Sequence, residues 1–222
     1  MRKFLRSNGL SIVLITVFFV VVTGQILSGW STFNSDQREH REQALTLLNY
    51  LTTGHFFEAI FENWESEFFQ MFSYIILTAK LFQRGSPESK SLDETNSVDA
   101  DPLDHRNSQN APTVVRTGSR LAVRLYSHSL TILFFTLWFS SFLLHAWSGS
   151  RAYSSEQSPH GEAGVVMWQY FMTNQFWFES FQNYQSEFMV MIVLVMSGIW
   201  LREKGSPESK PVHMGHRQNA AA

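Results

Sequence analysis

Residues 10–90 of this chain align, without a gap, with residues 130–210. The hexapeptide GSPESK stands at 85–90 and again at 205–210, and the tripeptide SEF stands at 66–68 and again at 186–188. The same offset aligns identical single residues along both copies, among them Gln37 with Gln157, Tyr50 with Tyr170, and Asn63 with Asn183. A duplication of this extent predicts two copies of one structural unit, so whatever fold one copy adopts must also suit the other.

Each copy contains one long and one short apolar segment. The long segments, 10–27 and 130–147, have 18 residues each, the lower limit for a helix that crosses a bilayer. The short segments, 68–82 and 188–201, have 15 and 14 residues and must begin upstream, in aromatic and acidic stretches. Two spans per copy return the chain to its starting side, so both copies run in the same direction. The predicted fold class is all-α: a polytopic membrane helical bundle of four transmembrane helices from two tandem parallel two-helix repeats.

These segments also predict the organisation of the chain. We expect a first repeat at 1–90 with spans near 10–29 and 58–82, and an acidic polar cytoplasmic linker at 91–119. A second repeat at 120–210 has spans near 126–147 and 178–201, and a cytoplasmic tail follows at 211–222. The alternative for the first segment is a cleaved signal peptide, because the basic stretch MRKFLR precedes it. The third segment has similar chemistry far from the N-terminus, which favours an uncleaved anchor.

The repeated GSPESK motif predicts the end of a helix followed by a turn. Gly85 and Gly205 suit the left-handed position after a helix, and Pro87 and Pro207 suit the first position of a new helical turn. The alternative is a lipid- or partner-binding role.

The distribution of basic residues predicts the orientation. Of 17 Lys and Arg residues, Arg38, Arg41 and Arg151 are the three that lie in the loops 30–55 and 150–175. The positive-inside rule then places both termini and the linker in the cytoplasm, which describes a multi-pass protein of the cell inner membrane. The net charge of −2 argues against nucleic acid as a partner, and the absence of cysteine excludes disulfides and thiolate metal sites. The expected partners are the lipid bilayer and, in a homo-oligomer, a second copy of the chain.

The duplicated motifs, NWESEF and its counterpart NYQSEF together with the two copies of GSPESK, also support a resemblance. With the basic N-terminus, they resemble an uncharacterised bacterial four-span membrane protein family, a domain of unknown function. The resemblance covers nearly the whole chain. It implies an inner-membrane protein and brings no assigned activity.

Polar residues recur at matching positions in or near the spans. Helical spacing places Asn63, Ser66 and Glu67 on one arc, and the second repeat has the same arc. The candidate polar layer consists of Gln25, Asn63, Ser66, Glu67, His145, Glu179, Asn183, Ser186 and Glu187. Ionisable groups at such depth usually face the bundle interior or a wet cavity. Two interpretations remain open: hydrogen bonding between packed spans, or a vestibule that handles protons or cations.

A weaker hypothesis is a metal site in the polar loops. The loops carry His-x-Glu in both copies, and the candidate ligands are His40, Glu42, His160 and Glu162. Nothing in the spacing fixes the distance between the two pairs.

The sequence contains no phosphate-binding glycine loop, no nucleophile elbow and no zinc-protease motif, so we expect no catalytic residue and no cofactor. The predicted function is a non-catalytic membrane scaffold or interaction protein. The alternative is a small proton- or cation-handling transport or channel-like protein that uses the polar layer.

Overall fold

The computed structural model describes residues 2–92, 95–157 and 164–219, with only the backbone of residues 2, 3, 156 and 157. Over these ranges the structure is all-helical, without a β-strand. The helices are α1 (Arg2–Glu39), α2 (Leu47–Tyr50), α3 (Gly54–Lys80), α4 (Thr113–Thr117), α5 (Arg120–Ser127), α6 (Ser129–Gln157), α7 (Met167–Phe171) and α8 (Asn174–Ser197). Two short 3-10 helices, Ser97–Asp99 and Pro102–His105, lie in the linker.

Two helices of the described residues are long and apolar enough to cross a membrane, Phe4–Glu39 and Ser129–Ser155. Helices α3 and α8 have 27 and 24 residues, but Glu, Asn and Gln side chains occupy much of their first halves. Both begin four residues before the predicted spans, because a threonine precedes each of them. The Thr53 hydroxyl accepts from the Phe56 N–H at 3.2 Å, and the Thr173 hydroxyl accepts from the Phe176 N–H at 3.3 Å.

The chain forms two compact units, each built from parts of both repeats. The first comprises Met1–Ile60 and Leu144–Met172, and the second comprises Phe61–Leu143 and Thr173–Ala222.

In the first unit, one contact is made twice at repeat-related positions. The Asn34 side chain accepts from the Leu45 N–H at 2.7 Å and donates to the Leu45 carbonyl at 2.9 Å. The Ser154 hydroxyl accepts from the Val165 N–H at 2.9 Å and donates to the Val165 carbonyl at 3.2 Å. Helices α1 and α6 therefore extend well beyond the predicted ends of their spans, and their last turns hold the polar loops that follow.

A buried tyrosine packs against a glycine in each repeat of this unit. The Tyr50 side chain contacts the backbone at Gly29, and the Tyr170 side chain contacts the backbone at Gly149. A Cβ atom at either glycine would overlap the tyrosine ring or hydroxyl. Burial raises the pKa of Tyr50.

The second unit is built around Trp138 of α6. Its indole stacks on Phe72, with ring centroids 6.1 Å apart, and lies 5.2 Å from the Phe69 ring. The contacts between α3 and α8 advance together along both helices, from Glu62 with Asn183 to Gln70 with Glu187. The repeat-related helices α3 and α8 therefore run parallel in this unit.

The two GSPESK loops, residues 83–90 and 203–210, have the same conformation. Gly85 and Gly205 have φ values of 84° and 90°, where glycine is strongly favoured. The Ser89 hydroxyl accepts from the Gln83 N–H at 2.7 Å, and the matching bond in the second loop measures 2.9 Å. Two further side-chain bonds recur in both loops, so the predicted stop and turn is a small folded element.

The C-terminal tail folds over the first GSPESK loop. The Asn219 side chain accepts from the Gly85 N–H at 2.9 Å and donates to the carbonyls of Gln83, Ser89 and Lys90 at 2.9–3.1 Å. The buried ammonium of Lys210 donates to the carbonyl of Gly85 and to tail carbonyls of residues 215, 216 and 218. Burial, and secondarily the charge of Arg202, lower the pKa of Lys210.

The glycine–tyrosine contact gives a first prediction. Gly149→Ala should lower the melting temperature in detergent, because the added methyl group overpacks against Tyr170 at a cost of roughly 1–3 kcal/mol. Gly24→Ala is the matched control, since a Cβ there meets nothing within 4 Å. Thermal unfolding of both variants checks this, and equal melting temperatures would contradict the close approach.

Candidate functional site

Three glutamates lie on one face of α3. Glu58, Glu62 and Glu65 are spaced by four and then three residues, which places them one above another on a helix. Each accepts a hydrogen bond from a side chain of the second repeat. This arrangement is called the glutamate row below.

Glu65 is the most deeply buried member of the row, with 1% of its surface exposed. It accepts a short hydrogen bond from the Tyr184 hydroxyl. The same Tyr184 oxygen accepts from the Trp138 indole N–H at 3.4 Å. A buried carboxylate is costly unless hydrogen bonds compensate it, and this chain of donors supplies such compensation from two other helices.

Glu62 lies in the second unit with Glu65 and is half-buried. Its carboxylate accepts from the Asn183 side-chain N–H at 2.6 Å. Asn183 belongs to the polar layer predicted from the sequence, and the structure identifies Glu62 as its hydrogen-bond partner.

Glu58 lies in the first unit. It accepts from the hydroxyl of the buried Tyr170 at 3.1 Å. A ring nitrogen of His145, which is fully buried, lies within 4.8 Å of a Glu58 carboxylate oxygen. The absence of a side chain at Gly149 leaves room for both Tyr170 and the Glu58 carboxylate. A carboxyl, a phenol and an imidazole therefore form one buried cluster, and all three can hold or release a proton.

The predicted polar layer is only partly internal. His145 and Ser66 are buried, while Gln25, Glu179, Asn183 and Glu187 are half-buried. Asn63, Glu67 and Ser186 are exposed, in contrast to the expectation that the whole layer faces the bundle interior. The reason is geometric: α3 turns the Glu62, Glu65 and Phe69 side of the helix toward α8, and residues 63 and 67 point elsewhere.

Several layer residues bond locally. The hydroxyls of Ser66 and Ser186 donate to the carbonyls of Asn63 and Asn183 at 2.9 and 2.8 Å. Glu179 accepts from Gln175, one turn earlier in its own helix. These bonds stabilise single helices and join no two of them.

The candidate metal ligands of the loops are described only in the first repeat. His40 is exposed, and its Nδ1 lies 2.9 Å from the Asp36 carbonyl of its own helix. The Glu42 side chain is exposed. His160 and Glu162 lie outside the described residues.

Sequence reasoning missed the contacts that the glutamate row makes with the second repeat. The positions equivalent to its members are Phe178, Gln182 and Gln185, so the row looks like variation between the repeats. The available signal was its spacing: three acids on one helical face, in a segment that the four-span prediction counts as part of a span.

The comparisons with known proteins agree with the resemblance noted from the sequence. The family model described as "Domain of unknown function (DUF6766)" matches residues 1–221. No curated protein and no solved structure matches the chain. The chain belongs to this family of unknown function, the DUF6766 domain family.

Proposed function

We propose that the chain is a multi-pass membrane protein in which α1, α3, α6 and α8 are the four spans. Helix α1 gives the strongest support. Its most apolar 18-residue window has a mean hydropathy of 2.5, and none of it is buried by the rest of the chain. Such a surface is stable in lipid and unstable in water.

The glutamate row supports counting α3 as a span despite its acids. Glu65 stands 15 residues before Lys80, the last residue of α3. This separation corresponds to about 22 Å along a helix, which is within the thickness of the hydrocarbon core. Hydrogen bonds from Tyr184 and Asn183 reduce the cost of placing such acids at that depth.

The structure of the second unit supports the proposed orientation. The tail, which follows α8, is bonded to the loop that follows α3. Both loops and the tail therefore share one side, and the excess of Lys and Arg there favours the cytoplasm for that side. The loops 30–55 and 150–175 then face outward.

We propose a non-catalytic role, as a membrane scaffold or interaction protein. The observation that carries it is the glutamate row, in which each acid receives a neutral donor from the other repeat. Bonds of this kind fix helices against each other.

The second candidate is proton or cation handling. The buried cluster of Glu58, Tyr170 and His145 favours this role, since the three side chains are ionisable and lie beside one another. Residues 54–79 of α3 contain four glutamates and neither lysine nor arginine, so a cation or a proton would neutralise a local excess of negative charge.

The orientation can be tested with single cysteines, because the natural chain has none. Glu39→Cys should react with a membrane-impermeant maleimide in intact cells. Val212→Cys, which is equally on the surface, should react only after the cells are opened. Labelling of Val212→Cys in intact cells would overturn the cytoplasmic assignment of the tail.

The scaffold role predicts a specific stability pattern. Glu65→Leu should lower the free energy of unfolding in detergent by roughly 1–3 kcal/mol, because the Tyr184 hydroxyl loses its acceptor. Adding Tyr184→Phe should recover much of that loss, since both partners are then apolar. Glu67→Leu, two residues away and exposed, is the matched control and should change stability by less than about 0.5 kcal/mol.

The transport role predicts a different result for an isosteric change. Glu65→Gln and Glu58→Gln keep the shape of the side chain and remove its charge. If the row carries protons or cations, either variant should abolish a pH-driven flux into liposomes while its melting temperature stays near that of the natural protein. A natural protein that shows no such flux rules out this second candidate.

A further inference from the structure

The two GSPESK loops differ in what covers them. A Cβ atom at Gly85 would overlap the carbonyl of His216 in the tail, whereas a Cβ at Gly205 would meet nothing within 4 Å. Ser86 has none of its surface exposed, while Gly205, Pro207 and Glu208 are exposed. The first loop is a filled binding site, and the second has the same conformation with its surface open.

The filled loop shows what such a site binds. The carboxamide of Asn219 makes four hydrogen bonds, one from the N–H of Gly85 and three to the carbonyls of Gln83, Ser89 and Lys90. A carboxamide fits because it accepts with its oxygen and donates twice with its nitrogen. A carboxylate at this position could not donate to the three carbonyls.

The second loop offers the same four backbone groups. The equivalents are the N–H of Gly205 and the carbonyls of Glu203, Ser209 and Lys210. All four residues line an open cleft of about 700 Å³ formed by residues 203–207 and 209–213. Within the described part of the chain, no hydrogen bond reaches the Gly205 N–H.

The chain contains a second segment of the kind that fills the first loop. Asn219 stands in the sequence HRQNA at 216–220, and the linker contains HRNSQNA at 105–111. Gln109 and Asn110 form the exposed tip of a turn, so the Asn110 side chain is available without any rearrangement. Each chain thus has two GSPESK loops and two Gln-Asn-Ala segments. The first loop is bound by the segment in the tail, whereas the second loop and the segment in the linker are unoccupied.

We propose that the second GSPESK loop binds the Asn110 carboxamide of a second copy of this chain. Within one chain, the Asn110 side chain and the second GSPESK loop are both exposed and are not bonded to each other. This favours a contact between two chains. The contact is reciprocal, because each copy offers one Asn110 and one open loop, so a dimer closes with two equivalent contacts. This inference deepens the proposed interaction role by naming the partner. Its test leaves the Glu65 and orientation experiments unaffected.

The experiment uses disulfide trapping in a chain that has no natural cysteine. Two full-length populations with different tags are prepared, one with Gln109→Cys and one with Pro207→Cys, and are mixed in liposomes and oxidised. A mixed-tag dimer on a non-reducing gel is the expected product. Adding Asn110→Ala to the first population should reduce it by about tenfold or more, since four hydrogen bonds per contact are lost.

Asn107→Ala is the matched control, since Asn107 is an exposed asparagine in the same linker. It should leave the mixed-tag dimer unchanged, and an excess of the peptide SQNAP should compete the dimer away. Thermal unfolding of each variant establishes that it is folded. A folded pair that gives no mixed-tag dimer, or a dimer insensitive to Asn110→Ala, overturns the proposal. Cross-linking only within a single chain that carries both cysteines overturns it as well, because the linker then docks on its own loop.

Discussion

The packing of the two repeats depends on carboxylates in a helix that has no Lys or Arg before its last residue. Glu58, Glu62 and Glu65 cannot rely on a basic side chain of α3, so donors must come from elsewhere. Tyr170, Asn183 and Tyr184 provide them, and all three belong to the second repeat. Removing either partner leaves a buried polar group without its bond, which makes the row sensitive to single changes.

The glutamate row is a difference between the two repeats, since Phe178, Gln182 and Gln185 occupy the equivalent positions. An acid in place of Tyr170, Asn183 or Tyr184 would repel the glutamate that it faces, and both would lose part of their ionisation. An acid on one copy and a neutral donor on the other avoid this cost. Contacts outside the row remain alike in the two repeats: the Asn34–Leu45 contact and its counterpart Ser154–Val165, and the two GSPESK loops.

Much of the fold could be predicted from the sequence, because apolar length, helix ends and repetition are local properties. The helical class, the turn at GSPESK and the upstream starts of α3 and α8 are of this kind. The site was harder. Repetition singled out Asn63 and Glu67, yet common descent alone is enough to repeat a polar residue, and these two are exposed. The members that pack between helices, above all Glu65 and Tyr184, are recognisable only when the partner helix is in place.

The linker and the tail show how one substitution redirects a segment. Asp99 and Asn219 occupy equivalent positions in the two copies. Asp99 is an acceptor only, and it pairs with the ammonium of Lys90 at 2.8 Å. Asn219 can also donate, and it therefore satisfies three carbonyls of the opposite loop while Lys210 is held by carbonyls. With a carboxylate at position 99, the linker cannot cover the second loop from that position, which leaves the loop open to a carboxamide from elsewhere.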